Sequence, residues 1–482
     1  MADVRGIYTI DRAGTATLVK SLEDTTNYFA AADSVEIQMG QGKPVMATGQ
    51  NRYEGAVPVD VSHDNGTYQW KLLVKGSTVS DALAKAEAFI GAGEAWRPGL
   101  YLGWTADGAS SMTYFEIRGP FSVKPTYKWA QMFGAKSWIF DVSVPIAPLV
   151  RAAALQTNNT ISSTTMPAVV QLANAVGGSA PALADLSLRT SGGSAAPIWA
   201  LIAWWKRVTA TPLSGSVAPI GIIEAESGTM TTWSSVANAA YRGGNGAQAT
   251  TSGAGTASTV IPVDPSVLTA DDFARGTVDI EVWVDYRVAS TVVSPRLIAS
   301  MIPTSGFGAR RYTELGASGR LLPLPSAGTV KRFTRLGVLT MPIDALTPVK
   351  WDLTVAASWA AGSSGAFGAD YVCLVPARQR ACSRTGVAND SGYPKFIAST
   401  SDTTKTVRSD LSGAVASAAG NPSVDTGLGG SRLWLPPGDV DVLTKLSSTV
   451  PDDPTVDASD EQLSHTGVTG GLSIINRNWL AV

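Results

Sequence analysis

The chain has 482 residues, and its 37 Lys and Arg against 39 Asp and Glu make only 16% of it charged, where ordinary soluble domains carry roughly 25%. That length exceeds the roughly 250–300 residues one core supports, so two or more domains are expected. A net charge of −2 supplies no basic field for phosphate backbones, which argues against sequence-specific nucleic-acid binding.

Met1 to Gly14 contain neither a basic nor an apolar signal region, and the longest apolar run, Ile198 to Trp205, is far short of the roughly 20 residues that cross a bilayer. Cytoplasmic synthesis without membrane insertion is expected. Val57, Val59 and Val61, then Asp64-Asn65-Gly66, then Tyr68, Trp70, Leu72 and Val74 predict two antiparallel strands joined at Asn-Gly. From Thr78 to Gly93 the period changes. Val79, Leu83, Ala86 and Ile90 fall at helical spacing, Thr78 and Asp81 form a capping pattern, and Asp81 precedes Lys85 by four. Strands follow at Leu100 to Trp104, Thr113 to Arg118 and Trp138 to Val144, and Pro145-Ile146-Ala147-Pro148 is expected to end the sheet.

Gln156 to Met166 is almost free of apolar residues and reads as a linker. Beyond it the pattern is all β, with strands expected at 182–190, 198–206, 220–226, 277–288, 296–301, 351–357, 370–375 and 440–446. Val278, Ile280, Val282 and Val284 alternate with Asp279, Glu281 and Asp285, the pattern of a strand with one face in solvent. Many short strands with Gly, Pro and Ser punctuation imply a jelly-roll sandwich. Neighbouring strand residues point opposite ways, so one of Trp204 and Trp205 should point away from the core. Gly243 to Thr256 and Ser399 to Gly430 nearly lack large apolar residues, and docking against neighbouring chains is expected to order them.

Chemistry has little to work with. The two cysteines exclude a disulfide framework and a four-cysteine metal site; Cys373, in an apolar run, reads as a buried thiol not bridged to Cys382. Any Ser–His–Asp mechanism would need His63, beside a turn, or His465, in a Gly-rich tail, and both read as solvated loop residues. Gly253-Ala254-Gly255 has no P-loop lysine and no following helix.

The N-terminal succession is familiar in order and pattern. Tyr53-Glu54-Gly55, the Tyr68-to-Leu72 strand, the Ala- and Glu-rich helix, Leu100-Tyr101-Leu102-Gly103-Trp104 and the closing Trp138-to-Pro148 segment resemble the distal tail protein among the minor tail proteins of long-tailed actinobacterial, mycobacteriophage-like phages. The resemblance covers about Met1 to Arg151. It implies a mainly β chain: an N-terminal β-sandwich with one packed α-helix, then a jelly-roll or galectin-like β-sandwich similar to carbohydrate-binding modules. The expected domains are 1–152, a tail-ring domain; 153–167, a linker; and 168–482, the sandwich with long ordered loops. The implied function is a structural, non-enzymatic component of the virion tail tip or baseplate. As a homo-oligomeric, hexameric ring it would join the tail tube protein to the tip hub and other minor tail proteins. DNA must slide through such a ring, so a neutral or acidic lumen is expected. The alternative is a host-surface adhesin whose sandwich binds cell-wall glycans.

Within that sandwich, Glu224 and Glu226 lie two apart on an expected strand and so share a face. They are open to three readings: a solvent-facing or arginine-paired acidic strand, a calcium site like that of some carbohydrate-binding modules, or a glycosidase acid pair. Apart from that calcium reading no cofactor is expected. Trp233 and Tyr241 are candidates to stack on sugar rings, the alternatives being inter-sheet core and subunit contact. Arg378, Arg380 and Arg384 read as donors of inter-subunit salt bridges.

Overall fold

A computed structural model describes residues 6–10, 15–22, 26–30, 35–38, 40, 42–48, 56–104, 112–126, 136–190, 199–207, 218–264, 277–303, 313–314, 319–342, 351–384, 395–398, 406–411, 414–415, 423–425, 434–447 and 467–478. The chain is mainly β and divides into two compact units, Met1–Gln156 with Gly177–Ala182 and Ile474–Val482, and Thr157–Val176 with Leu183–Ser473.

In the first unit the strands are β1 (Gly6–Ile10), β2 (Ala16–Ser21), β3 (Gly66–Lys75), β4 (Leu100–Trp104), β5 (Thr113–Ile117) and, as far as Gln156, the long β6 (Ser137–Ser163), whose remaining residues belong to the second unit; helix α1 (Val79–Glu94) follows β3. The order β2-β1-β4-β5-β6 is antiparallel throughout, and β6 also pairs with β3 from Ser137↔Lys75 to Ile146↔Gly66. Period two sets which side chains are inside: Tyr68, Trp70, Leu72 and Val74 are buried on β3 against Phe140, Val142 and Val144 of β6. Helix α1 covers this face. Thr78 caps it, its Oγ1 accepting from Asp81 N at 3.1 Å, and Lys85 Nζ donates to Asp81 Oδ2 at 2.9 Å. Its buried residues are Ala82, Ala86, Phe89 and Gly93: Ala86 is buried as expected, Ala82 and Phe89 take the buried places expected of Leu83 and Ile90, and Val79 is exposed in the first turn.

Three expectations change here. The strand Ala56–His63 pairs with Gly42–Thr48 and not with β3, whose partners are β6, Tyr28–Ala30 and Glu36–Gln38. Neither Asn65 nor Gly66 takes the positive φ that a two-residue hairpin turn requires, so Asn-Gly carries the chain between sheets. Second, Pro145 and Pro148 do not end the sheet. They lie where β6 changes partner from β3 to β5, across the register shift between Ile146 and Val150, and two missing donors are tolerated there. Third, most of the 153–167 segment is strand: β6 continues to Ser163, with Ile161 buried and Asn159 Nδ2 donating to Ala175 O at 3.1 Å.

The second unit contains three layers. The outer sheet runs β7 (Ala168–Val176), β18 (Gly438–Ser447), β8 (Trp199–Lys206), β17 (Arg380–Arg384), listed in spatial order. The middle sheet runs β10 (Asn245–Ser252), β16 (Ser364–Pro376), β12 (Thr277–Ala289), β14 (Thr329–Pro342), with β9 (Gly221–Glu224) also on β16. The third runs β11 (Gly255–Asp264), β15 (Trp351–Trp359), β13 (Arg296–Pro303). The middle sheet is covered on both faces. Val282, Val284 and Val288 join the core shared with Leu297, Leu353 and Val355 of the third sheet, while Trp283 stacks with Phe333 and lies 5.6 Å from Trp199 of the outer sheet.

The outer sheet overturns the half-exposed reading of β12: Glu281 and Asp285 lie inside, beneath it. Trp204 and Trp205 are both buried: Trp205 joins the core shared with the middle sheet, and Trp204 Nε1 donates to Trp434 O. Gly243 to Thr256 is not a loop ordered by other chains but two strands, β10 and β11, around Gly253 at φ +68°. Some of its small residues are needed because side chains pack closely there: a Cβ on Gly255 would meet Trp359 Cζ2 at 2.7 Å. Of Ser399 to Gly430, the described residues form the strands Thr406–Leu411, Ala414–Val415 and Ser423–Asp425. Cys373 and Cys382 are both buried free thiols, and burial pushes Cys373 up to about 12. His63 lies on a strand, and His465 lies outside the described residues.

Candidate functional site

Among the described residues of the second unit, a row of titratable groups lies on the face of the middle sheet turned toward the outer one. Local strand geometry assembles it. On β12 the residues Glu281, Trp283 and Asp285 share a face, and register places Arg335 opposite Trp283 and Phe333 opposite Asp285 on β14. On the other side, Val284 pairs with Val372 but Tyr286 with Ala369, so a bulge sets both Asp370 and Tyr371 across from Asp285. A bulge of this kind re-aims side chains, and here it brings a second carboxylate to the same spot. Glu224, at the end of β9, pairs with Tyr371.

The row starts partly exposed and ends dry. Glu224 Oε1 is paired with Arg242 Nη1, both side chains 28% exposed. Arg242 N donates to both Asp370 oxygens, at 3.0 and 2.8 Å, and Asp370 is paired with Lys331 Nζ. Lys331 Nζ lies 3.6 Å from Asp285 Oδ1 and donates to Ala240 O at 2.8 Å. Asp285 Oδ2 is 3.4 Å from Nζ of Lys445, a β18 residue 1% exposed. Lys445 Nζ also donates to Tyr371 Oη at 2.5 Å and sits 4.0 Å from the centre of the Phe333 ring. Beside the row, Glu281 is held by Arg335 and by Arg380 of β17, whose Nη2 donates to Glu281 Oε1 at 2.9 Å.

Burial dominates the titration of these groups. It raises the Asp370 carboxyl to about 7, aided by Asp285 and opposed by Lys331. It lowers the Lys445 ammonium, against the pull of Asp285, and drives the Tyr371 hydroxyl well above its ordinary value. For Lys331 burial acts downward, but Asp285 and Asp370 outweigh it and raise the pKa. Glu224 and Glu226 are both raised, in each case chiefly by burial.

The sequence-derived candidates fall around this row in other roles. Trp233 and Tyr241 are each 4% exposed, so neither ring offers a face to a sugar. Trp233 Nε1 donates to Phe367 O at 3.2 Å, and the Tyr241 hydroxyl donates to Gln248 Oε1 at 2.6 Å, with burial pushing it up to about 12. Glu224 ends a strand and Glu226 lies in the 3-10 turn Ala225–Ser227, so they do not share a strand face. Glu224 is the arginine-paired carboxylate among the readings given to it. Among the described residues no three His, Cys, Asp or Glu side chains gather as metal ligands. Arg380 and Arg378 pair within the chain, with Glu281 and with Asp279 at 3.4 Å. Sequence patterning passed over Lys331, Asp370 and Lys445. The available signal was Lys445 on the same alternating face as Leu443, in a run with Val440, Val442 and Leu446.

No protein-family model and no curated protein matches this chain. Among solved structures it is similar to the SPP1 Dit (gp 19.1) protein, described as a paradigm of the hub adsorption apparatus in phages infecting Gram-positive bacteria, with 12% identity over 44% of this chain and 73% of that one and a TM-score of 0.27. It is also similar to the phage P2 baseplate in its activated conformation with calcium, with 6% identity, 75% and 98% coverage and a TM-score of 0.22. A Paenibacillus xanthan lyase gives 9% identity, 97% and 58% coverage and a TM-score of 0.22. Similarities this low carry neither fold nor activity to the chain.

Proposed function

We propose that this chain is a non-enzymatic structural component of a phage tail tip, its first unit forming part of a hexameric ring between tail tube and tip hub. The observation that carries the reading is the make-up of that unit. The segments behind the family resemblance, β3, α1, β4 and the start of β6, fold together as one helix-covered antiparallel sheet with a single core. The charged groups of the second unit fit a scaffold. They pair with one another beneath a covering sheet, where charges hold layers in register instead of meeting a substrate. The reading places the protein in the virion, with sister copies, tube protein and hub proteins as partners, and requires no cofactor. A glycan-binding role would need residues other than Trp233 and Tyr241.

The test is the mass of the purified full chain in solution, with electron microscopy of the particles it forms and quantitation of the chain in purified virions. Closed six-membered rings and a copy number near six per virion are expected. A chain that stays monomeric, and is missing from purified tails, overturns the proposal.

A further inference from the structure

We propose that Lys445 and Asp285 condense to an intramolecular isopeptide bond, an amide between the lysine Nζ and the aspartate side-chain carbonyl, which staples the outer sheet to the middle one. This goes beyond the assembly role and does not depend on it. The two residues come from facing strands, β18 and β12, 160 positions apart in sequence, with Nζ 3.4 Å from Oδ2 and side chains 1% and 3% exposed. Water is excluded by the Phe333 ring, 4.0 Å from Nζ, and by the Tyr371 ring at 5.2 Å. A separated charge pair is costly in such surroundings, whereas a neutral amide is not, so burial favours condensation.

The neighbours supply what the step needs. Tyr371 Oη touches Nζ at 2.5 Å and hydrogen-bonds with Asp285, so it can pass a proton from the ammonium to the carboxylate. The freed amine, favoured by burial, attacks Cγ of Asp285. Lys331, 3.6 Å from Oδ1 and kept cationic by its two carboxylates, faces the oxygen on which negative charge develops. The C–N bond forms, the bond from Cγ to Oδ2 breaks, and Oδ2 leaves as water with the transferred proton and one more from nitrogen. Ammonium and carboxylate thus become amide and water, with no oxidant and no outside reactant. Lys331 is not the nucleophile, since contact with both Asp285 and Asp370 holds its proton.

The experiment is the intact mass of the full chain after purification and denaturation, followed by protease digestion. The expected mass is one water, about 18 Da, below that of the sequence, with a branched peptide joining 277–289 to 438–447. Lys445→Arg, which keeps the cation but has no primary amine, should show the full mass and no branched peptide. Tyr371→Phe should slow the loss of water in freshly made protein. A cooperatively folded wild-type chain with the full sequence mass and no branched peptide overturns the inference, whatever the variants do. Ring formation is read separately, by solution mass, so either proposal can fail alone.

Discussion

Arg380 and Glu281 form an ion pair between two sheets, with side chains 1% and 0% exposed and Nη2 donating to Oε1 at 2.9 Å. Glu281 is also held by Arg335, so two guanidinium groups share one buried carboxylate. Removing one partner strands the other, which typically costs about 3–5 kcal/mol, whereas replacing a whole buried group by apolar residues of similar volume is often neutral. Glu281→Gln should therefore lower the urea midpoint of the second unit steeply, and Glu281→Leu with Arg380→Met and Arg335→Met should recover most of the loss. A triple variant less stable than Glu281→Gln would show that the pairs contribute net stability.

The second unit should grow less stable from acid to neutral pH. Asp370 has its folded pKa at about 7, above the ~4 of an unfolded carboxyl, through burial and Asp285. Its contribution is complete below about pH 4 and is lost as pH rises through about 7, on the order of a few kcal/mol. Glu224, Glu226 and Asp352, also raised by burial, act in the same direction. Hydrogen exchange in residues 364–376 should be slower at pH 5 than at pH 8 after correction for intrinsic rates, and Asp370→Asn should flatten the difference. Equal protection at both pH values would contradict it. In the first unit Asp81 acts oppositely: hydrogen bonds from Lys85 and Ser77 lower it to about 2, so its contribution is lost as pH falls from about 4 toward 2.

Two glycines of α1 should respond with opposite signs to the same change. A Cβ on Gly91 meets nothing within 4 Å, whereas one on Gly93 would meet Phe121 Cβ at 2.6 Å. Gly91→Ala should stabilise by about 0.5–1 kcal/mol through helix propensity. Gly93→Ala should lose about 1–3 kcal/mol, because overpacking against Phe121 outweighs that gain. Denaturant midpoints followed by exchange in residues 79–94 would check both.

Trp233→Ala should act on stability. The indole is buried and donates to Phe367 O, so truncation opens a cavity and costs about 3–5 kcal/mol. A variant with unchanged stability and lost affinity for host envelope glycans would reverse this assignment.

Much of the strand content could be read from periodicity, because a pleated strand turns successive residues to opposite faces whatever its neighbours are. The Leu100 to Trp104, Thr277 to Val288 and Trp351 to Ala357 segments lie in strands for that reason, and the Thr78 cap with its Asp81–Lys85 pair reads from spacing alone. What a strand's polar face meets is a matter of tertiary structure. Asp279, Glu281 and Asp285 look the same in sequence whether that face is wet or covered, and only the outer sheet, arriving from residues 199–206 and 438–447, decides it. The bulge that turns Asp370 toward Asp285, and the facing of Lys445 across 160 residues, likewise depend on long-range pairing. Sequence by itself determined a charge-poor β chain with one capped helix, since composition and period are local properties. The burial of its ionic row was decided by the stacking of sheets, because desolvation depends on what lies on the far side of a side chain.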